Sequence, residues 1–309
     1  MKEIERIIKD GVLPESFFRE ETICDFKVDL ARKKLWAVSL DLLFKFDEVC
    51  RKHQIKYTLA YGSLLGAIRH HGFIPWDDDI DLFMVREEYE KLKKLKSEFQ
   101  YPYFLQIPGE NGYLFSFAKL RNSNTTALSN AFRYESFNQG MPLDIFILDN
   151  YNPETIENDL QRVKDLVFEC SALMRRRNPH PNEKDIHYMQ SFPTIREGAK
   201  VIQEMDNVLR NNQENHSDKY VCLCNLIYKV HRGIFDRKDI DSLTEVDFYG
   251  HPVFIPKHFD AVLSVIYGNY MELPPVETRG TWHDQIVYDM DRPYSDYVQD
   301  LWNKERKDR

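Results

Sequence analysis

Apolar residues recur at helical spacing through residues 28–53, where Leu30, Leu35, Val38, Leu42, Leu43, Phe46 and Val49 form one stripe. The spacing predicts a long amphipathic helix. Residues 55–61 are rich in β-formers and read as a strand. Gly62-Ser63 then turns the chain into a short helix over 64–71. A second strand is predicted at 80–85, a charged amphipathic helix at 86–99, and further strands at 113–120 and 143–148. Residues 153–215 read as mostly helical, divided by the break Asn178-Pro179-His180-Pro181. The last third predicts a strand at 251–255, a helix at 259–267 and a segment containing Leu273-Pro274-Pro275. No internal repeat and no clean linker interrupts the chain. The expected fold class is α+β, a sheet-containing core with a helical elaboration. Residues 1–54 are expected to form a helical segment packed on the core, 55–152 the core itself, and 153–309 a mainly helical region, one compact unit with that core.

At 309 residues the chain is long enough for one large domain or two small ones. Lysine and arginine number 42 against 50 acids, a net charge of 42 − 50 = −8, which argues against broad nucleic-acid binding. Five cysteines (Cys24, Cys50, Cys170, Cys222 and Cys224) are too few and too scattered for a disulfide framework. Cys222-Leu223-Cys224, with His216 and His231 nearby, offers zinc-ligand types at an unusual spacing; alternation along a strand explains it better. The start, Met1-Lys2-Glu3-Ile4-Glu5-Arg6, is charged, and no apolar run of a secretory signal follows. No stretch approaches the ~20 apolar residues of a spanning helix. A soluble, cytoplasmic protein is expected, with at most transient peripheral contact at the inner face of the cell membrane.

The densest chemistry lies at Asp77, Asp78, Asp79 and Asp81, close behind Gly62-Ser63. Two unit charges ~4 Å apart repel by about 4 kcal/mol at an effective dielectric near 20. A fold that gathers such groups holds a cation, keeps some protonated, or leaves them in water. If Asp79 and Asp81 share a strand they face the same way, roughly 7 Å apart, and suit Mg²⁺ or Mn²⁺. Asp77 and Asp78 precede the strand and are free to orient Arg69 or a turn amide. Asp144, within the apolar run 141–148, is the third candidate ligand, since a lone buried charge there would be costly. Three plainer readings stand beside this one. The acids could form a solvated loop, which the flanking Ile74, Trp76, Ile80, Leu82 and Phe83 disfavour. Asp77, Asp79, Asp81 and Glu88 imitate a calcium loop, but Leu82 replaces its glycine. Asp144 could simply pair with a core arginine. A strand followed by Gly-Ser and a helix also presents N–H groups and a hydroxyl to an anion.

The run Tyr61-Gly62-Ser63-Leu64-Leu65-Gly66-Ala67-Ile68-Arg69, continuing to Ile74-Pro75-Trp76-Asp77-Asp78-Asp79-Ile80-Asp81, resembles the LicD family of the nucleotidyltransferase fold group. Leu143-Asp144-Ile145-Phe146-Ile147-Leu148-Asp149 resembles the family's later acidic strand, and Tyr267-Gly268-Asn269-Tyr270-Met271-Glu272-Leu273-Pro274-Pro275, followed by His283, its C-terminal segment. The resemblance implies a polymerase β-like mixed sheet flanked by helices. It implies transfer of a substituted phosphate, such as phosphocholine from CDP-choline, to a sugar hydroxyl of a lipopolysaccharide, teichoic acid or capsule glycan. Fukutin-related proteins share that core; the zinc loop of some eukaryotic relatives has no counterpart here.

By position, Gly62 and Ser63 form the turn beside Tyr61, and Asp79, Asp81 and Asp144 hold metal and carry catalysis. Asp144 is also a candidate base for the acceptor hydroxyl. Arg69, Lys119 and Arg121 are candidate phosphate contacts, the last two sharing one strand face. His283 and Arg279 are candidates for a phosphate or an acceptor. Two rival functions use the same residues: a small-molecule nucleotidyltransferase that releases pyrophosphate, and a non-catalytic glycan-binding relative.

Overall fold

The structure, a computed structural model, describes residues 2–211, 213, 217–225, 230–280 and 286–307. Helix α1 (Glu3–Lys9) and a small hairpin, β1 (Glu21–Ile23) with β2 (Phe26–Val28), precede the long helix α2 (Leu30–Lys52). Asp29 caps α2, its carboxylate accepting from the Arg32 amide at 2.9 Å. Leu35, Val38, Leu42, Leu43, Phe46 and Val49 of the predicted stripe are buried, while Leu30 in the first turn is exposed. The chain continues through β3 (Thr58–Leu59), α3 (Tyr61–Arg69), β4 (Asp81–Val85), α4 (Arg86–Leu92), β5 (Tyr103–Gln106), β6 (Ala118–Asn122), β7 (Thr126–Ser129) and β8 (Met141–Asn150). Helices α5 (Ile156–Arg175), α6 (Glu183–Ser191) and α7 (Gly198–Arg210) follow. Then come β9 (Lys219–Val221), β10 (Ile234–Asp236), α8 (Arg237–Asp241), the hairpin β11 (Leu243–Phe248) with β12 (His251–Pro256), α9 (Phe259–Tyr267), β13 (Ile286–Asp289) and α10 (Tyr294–Lys307).

The architecture is mixed α+β around a seven-stranded sheet in which β8 is the hub. Strand β4 runs parallel to β8 on one side and is followed by antiparallel β3. The other edge of β8 is shared, its first half pairing antiparallel with β6 and its last two residues with β9. Strand β5 extends the sheet beyond β6, and β10 beyond β9. Helix α2 packs across β8 and β6. Leu82, Met84, Ile145, Ile147, Ala118 and Leu120 are all buried in the main core. A second cluster joins α5 and α7 through Val163, Leu166, Val201 and Met205.

The differences from the predicted elements have local causes. The strand at 55–61 contracts to two residues because Tyr61 turns to φ 40° and opens α3 there, with Gly62 and Ser63 already inside its first turn. The helix at 86–99 breaks up near Leu95, whose backbone leaves helical angles, and 93–98 tightens to a 3₁₀ helix. The alternating rings of 113–117 mimic a strand, but Tyr113 and Phe115 stack on each other at 5.0 Å and strand pairing begins only at Ala118. The break at 178–181 separates α5 from α6 as predicted. Cys222 and Cys224 are buried with sulfurs 3.7 Å apart and Leu223 packs in the second cluster, although the strand expected there, β9, ends at Val221. His216 lies outside the described residues. No helix among the described residues is long and apolar enough to cross a membrane.

Buried charge outside the site yields one pH prediction. Glu135 is 4% exposed, and its Oε1 has no hydrogen-bond partner among the described residues. Burial raises its carboxyl from 4.5 to about 7, against a weaker opposing pull from Arg177. The folded state therefore binds this proton more tightly than the unfolded chain. The cost of ionising it is absent below the unfolded pKa and grows as pH rises through 7. Glu135→Gln should raise the melting temperature at about pH 8 and lose that advantage near pH 5. An equal shift at both values would contradict the burial account.

Candidate active site

Two structural devices build the site. The first is the sheet register. Asp81 of β4 pairs with Asp144 of β8, and Asp144 pairs with Lys119 of β6. Direct partners across neighbouring strands share a face, so carboxylate, carboxylate and ammonium stand in one row. Lys119 Nζ donates to both Asp144 oxygens at 2.7 Å. Beside this row lie Phe83 and Phe146, on which the buried Tyr61 ring packs at 4.7 and 5.3 Å.

The second device is the segment 74–79, strapped between α2 and α3. Arg32 Nη1 and Trp36 Nε1, one helical turn apart on α2, donate to the Asp77 carbonyl at 2.7 and 2.9 Å. Gly62 leaves room for the Asp77 carboxylate, since a Cβ there would lie 2.4 Å from Asp77 Oδ2. The Ser63 hydroxyl accepts from the Asp81 amide at 2.9 Å, fixing the start of β4 to α3. Ligand oxygens of Asp77, Asp78 and Asp79 consequently lie within 4.8 Å of one another. Tyr288, on β13, donates its hydroxyl to Asp78 Oδ2 at 3.1 Å.

The electrostatics follow from crowding. Desolvation, and after it the charges of Asp79 and Asp78, push the Asp77 carboxyl well above its usual range. Asp81 is raised in the same direction by desolvation and then by Asp79, Asp144 and Asp77. Burial lowers the Lys119 ammonium, against the pull of Asp144. Burial and then Asp78 and Asp79 raise the Tyr288 phenol, which is a hydrogen-bond donor here. Among the described residues, five carboxylates (Asp77, Asp78, Asp79, Asp81 and Asp144) thus lie with the Lys119 ammonium in this cluster. Hard oxygen donors held this close, two of them buried at a cost, fit a divalent ion such as Mg²⁺ or Mn²⁺. The group Asp77, Asp78 and Asp79 could hold one.

The placement of the sequence candidates is uneven. Asp81, Asp144, Lys119, Gly62 and Ser63 come together as described. Asp79 precedes β4; it groups with Asp77 and Asp78, and its charge acts on Asp81. Tyr61 supports the aromatic layer and meets Cys222. Arg121, two residues along β6 from Lys119 and opposite Pro142, donates from Nη1 to the Gly140 carbonyl at 2.7 Å and from Nε to Gln106. Arg69 donates to the carbonyls of Tyr270 and Glu272 at 2.7 and 3.2 Å. His283 lies outside the described residues.

Residues 54–174 match the family model described as LicD/FKTN/FKRP, nucleotidyltransferase domain. They are a LicD-family nucleotidyltransferase domain. Asp77, Asp78, Asp79, Asp81, Lys119 and Asp144 all fall within it, whereas Arg32, Trp36 and Tyr288 come from outside its bounds. The chain is 26% identical over 275 residues to the lipopolysaccharide cholinephosphotransferase LicD of Haemophilus influenzae, covering 85% of this chain and 98% of that protein. It is also 32% identical over 136 residues to an uncharacterized protein of Rickettsia prowazekii, covering 43% of this chain and 47% of the relative. An uncharacterized protein of Rickettsia typhi is 37% identical over 87 residues, covering 27% of this chain and 28% of the relative. The likeness to the Haemophilus transferase thus extends on both sides of the matched domain, over most of this chain.

Tyr288 was not visible in the LicD-like motifs, because it reaches the acids only through the pairing of β13 with β7. Arg32 and Trp36 carry a weak signal, their spacing of one helical turn. Nothing in that spacing names Asp77 as their target.

Proposed function

We propose that this LicD-type chain transfers a substituted phosphate, phosphocholine or a close analogue, from a CDP-linked donor to a sugar hydroxyl of a cell-surface glycan. The observation that carries the reading is the row Asp81, Asp144 and Lys119 set against the carboxylates of 77–79. The cholinephosphotransferase name of the Haemophilus relative supports the choice of donor and acceptor.

Asp77, Asp79 and Asp81 would hold the divalent ion, because both oxygens of Asp144 already accept from Lys119. When bound, the ion supplies positive charge that offsets the donor diphosphate and the leaving phosphate. Gly62 and Ser63, at the first turn of α3, lie where backbone N–H groups can meet a phosphate oxygen. Asp144 accepts the proton of the acceptor hydroxyl. The new P–O bond forms from that oxygen, the bond to the bridging oxygen breaks, and cytidine monophosphate leaves with the electron pair. Lys119 holds Asp144 in place and offsets charge at the reacting phosphate. Tyr288 fixes Asp78 at the edge of the cluster.

Product analysis tests the reading. Incubation with CDP-choline, Mg²⁺ and a glycan acceptor should release cytidine monophosphate and no pyrophosphate. Pyrophosphate released from a nucleoside triphosphate, with CDP-choline untouched, would favour the nucleotidyltransferase alternative instead.

A further inference from the structure

Trp76 and Asp77 are neighbours whose side chains meet different surroundings. Asp77 lies against Gly62, whereas the Trp76 ring lies 6.0 Å from His70, 6.1 Å from Phe26 and 5.0 Å from the Arg279 guanidinium. Arg279 lies on this ring, Arg69 borders it through His70, and Arg32 borders it through Phe26 and the Asp77 carbonyl. Arg32 comes from α2 and stands 5.5 Å from the Phe26 ring. Arg69 ends α3, and its Nε donates to His70 Nε2 at 3.0 Å. Arg279 follows the 3₁₀ turn Val276–Thr278.

None of the three is paired with a carboxylate among the described residues, although acids outnumber basic residues in the chain, 50 to 42. Their partners are neutral. Arg32 donates to the Asp77 carbonyl, and Arg69 to those of Tyr270 and Glu272. Arg279 donates to the carbonyls of Pro274 and Cys24 at 3.0 and 2.6 Å. The Nη2 group of each makes no hydrogen bond among the described residues. All three side chains are half-buried. The charge is felt locally: burial, then Arg69 and Arg279, lower His70 to about 4, so it is neutral and accepts from Arg69.

A backbone clamp alone accounts for the carbonyl contacts. It does not account for holding Arg69 and Arg279 close enough to repel each other, with Arg32 nearby and no carboxylate among the described residues paired with any of them. An anion with several oxygens would do so, since guanidinium forks match phosphate geometry. We infer that Arg32, Arg69 and Arg279 form a second, metal-independent anion site that takes a phosphate group carried by the acceptor. The acceptor assignment rests on the transfer reaction proposed above, because the donor diphosphate is already placed at the acids on the other side of residues 76–77. A phosphate seated here would fix a phosphorylated sugar beside the reacting centre.

The test does not depend on transfer activity. Inorganic phosphate is titrated into the full chain by calorimetry with EDTA present. The wild type should bind it. Arg279→Gln, which keeps a donor for the Pro274 and Cys24 carbonyls, should bind about tenfold more weakly or worse. Arg32→Gln, which alters a different element, should weaken binding in the same direction, and melting curves identify any variant that fails to fold. Asp81→Asn should bind as the wild type does. No binding by the wild type, or equal binding by both folded arginine variants, overturns the site. Displacement of phosphate by glucose 6-phosphate but not by cytidine monophosphate supports the acceptor as source; the reverse overturns that part.

Discussion

Asp81→Asn is expected to abolish measurable transfer, by about 100-fold or more in rate at saturating Mg²⁺, and to leave the protein folded. The two halves of this expectation have one cause. Asp81 is a carboxylate forced above its usual pKa by desolvation and by Asp79, Asp144 and Asp77. Its ionised form is therefore unfavourable in the folded protein unless a cation sits beside it. Asparagine removes that cost and keeps the backbone amide that donates to Ser63. The metal-free variant should melt at a higher temperature than the metal-free wild type at neutral pH. Steady-state rates and melting curves on the same preparation check both halves. Activity within a few-fold of wild type, or a marked loss of stability, would show that Asp81 does something else.

The second large effect concerns stability. Arg86, at the start of α4, donates from Nε and Nη2 to the two oxygens of Asp149 at 2.7 and 2.8 Å, and from Nη1 to Asp206 on α7 at 2.9 Å. Arg86 is 4% exposed and Asp149 2%. This bidentate pair closes the end of the sheet and ties it to the helical region. Arg86→Ala should destabilise the protein by about 3–5 kcal/mol, because it leaves Asp149 charged, buried and short of a partner. The double variant Arg86→Met, Asp149→Leu should recover much of that loss, since it removes both charges at once. Chemical denaturation of the two variants checks the pair. A single variant within about 1 kcal/mol of wild type would mean that water reaches Asp149 and replaces the arginine.

Much of the site could be read from the chain, and the reason is physical. Gly62, Ser63 and the acids of 77–81 are close in sequence, and Asp144 betrays itself as a charge inside an apolar strand. The sheet then puts Asp144 opposite Asp81. Lys119 was visible as a cation on a strand, but only the β6–β8 register shows that its first partner is Asp144. Asp79 lies just before β4, which begins at Asp81, so strand alternation does not by itself place it, yet its charge is the first that Asp81 meets. Asp77 was underrated for a related reason: its placement depends on the bare Cα of Gly62 and on donors from α2, neither of which the acidic run records. Tyr288 depends on a long-range strand pair and had no local signal. The short strands β9 and β10, and the hairpin partner β11, escaped for the same reason. Each is three to six residues long and is fixed by its neighbour rather than by its own pattern.

Transfer as proposed requires that the acids of 77–81 bind a divalent ion. Calorimetric titration of Mn²⁺ into the metal-free wild type and into Asp79→Asn tests this directly, because Asp79 interacts with both Asp77 and Asp81. Saturable binding by the wild type, weakened about tenfold or more in the variant, is the predicted result. Absence of binding by the wild type, or equal binding by the two proteins, would contradict it.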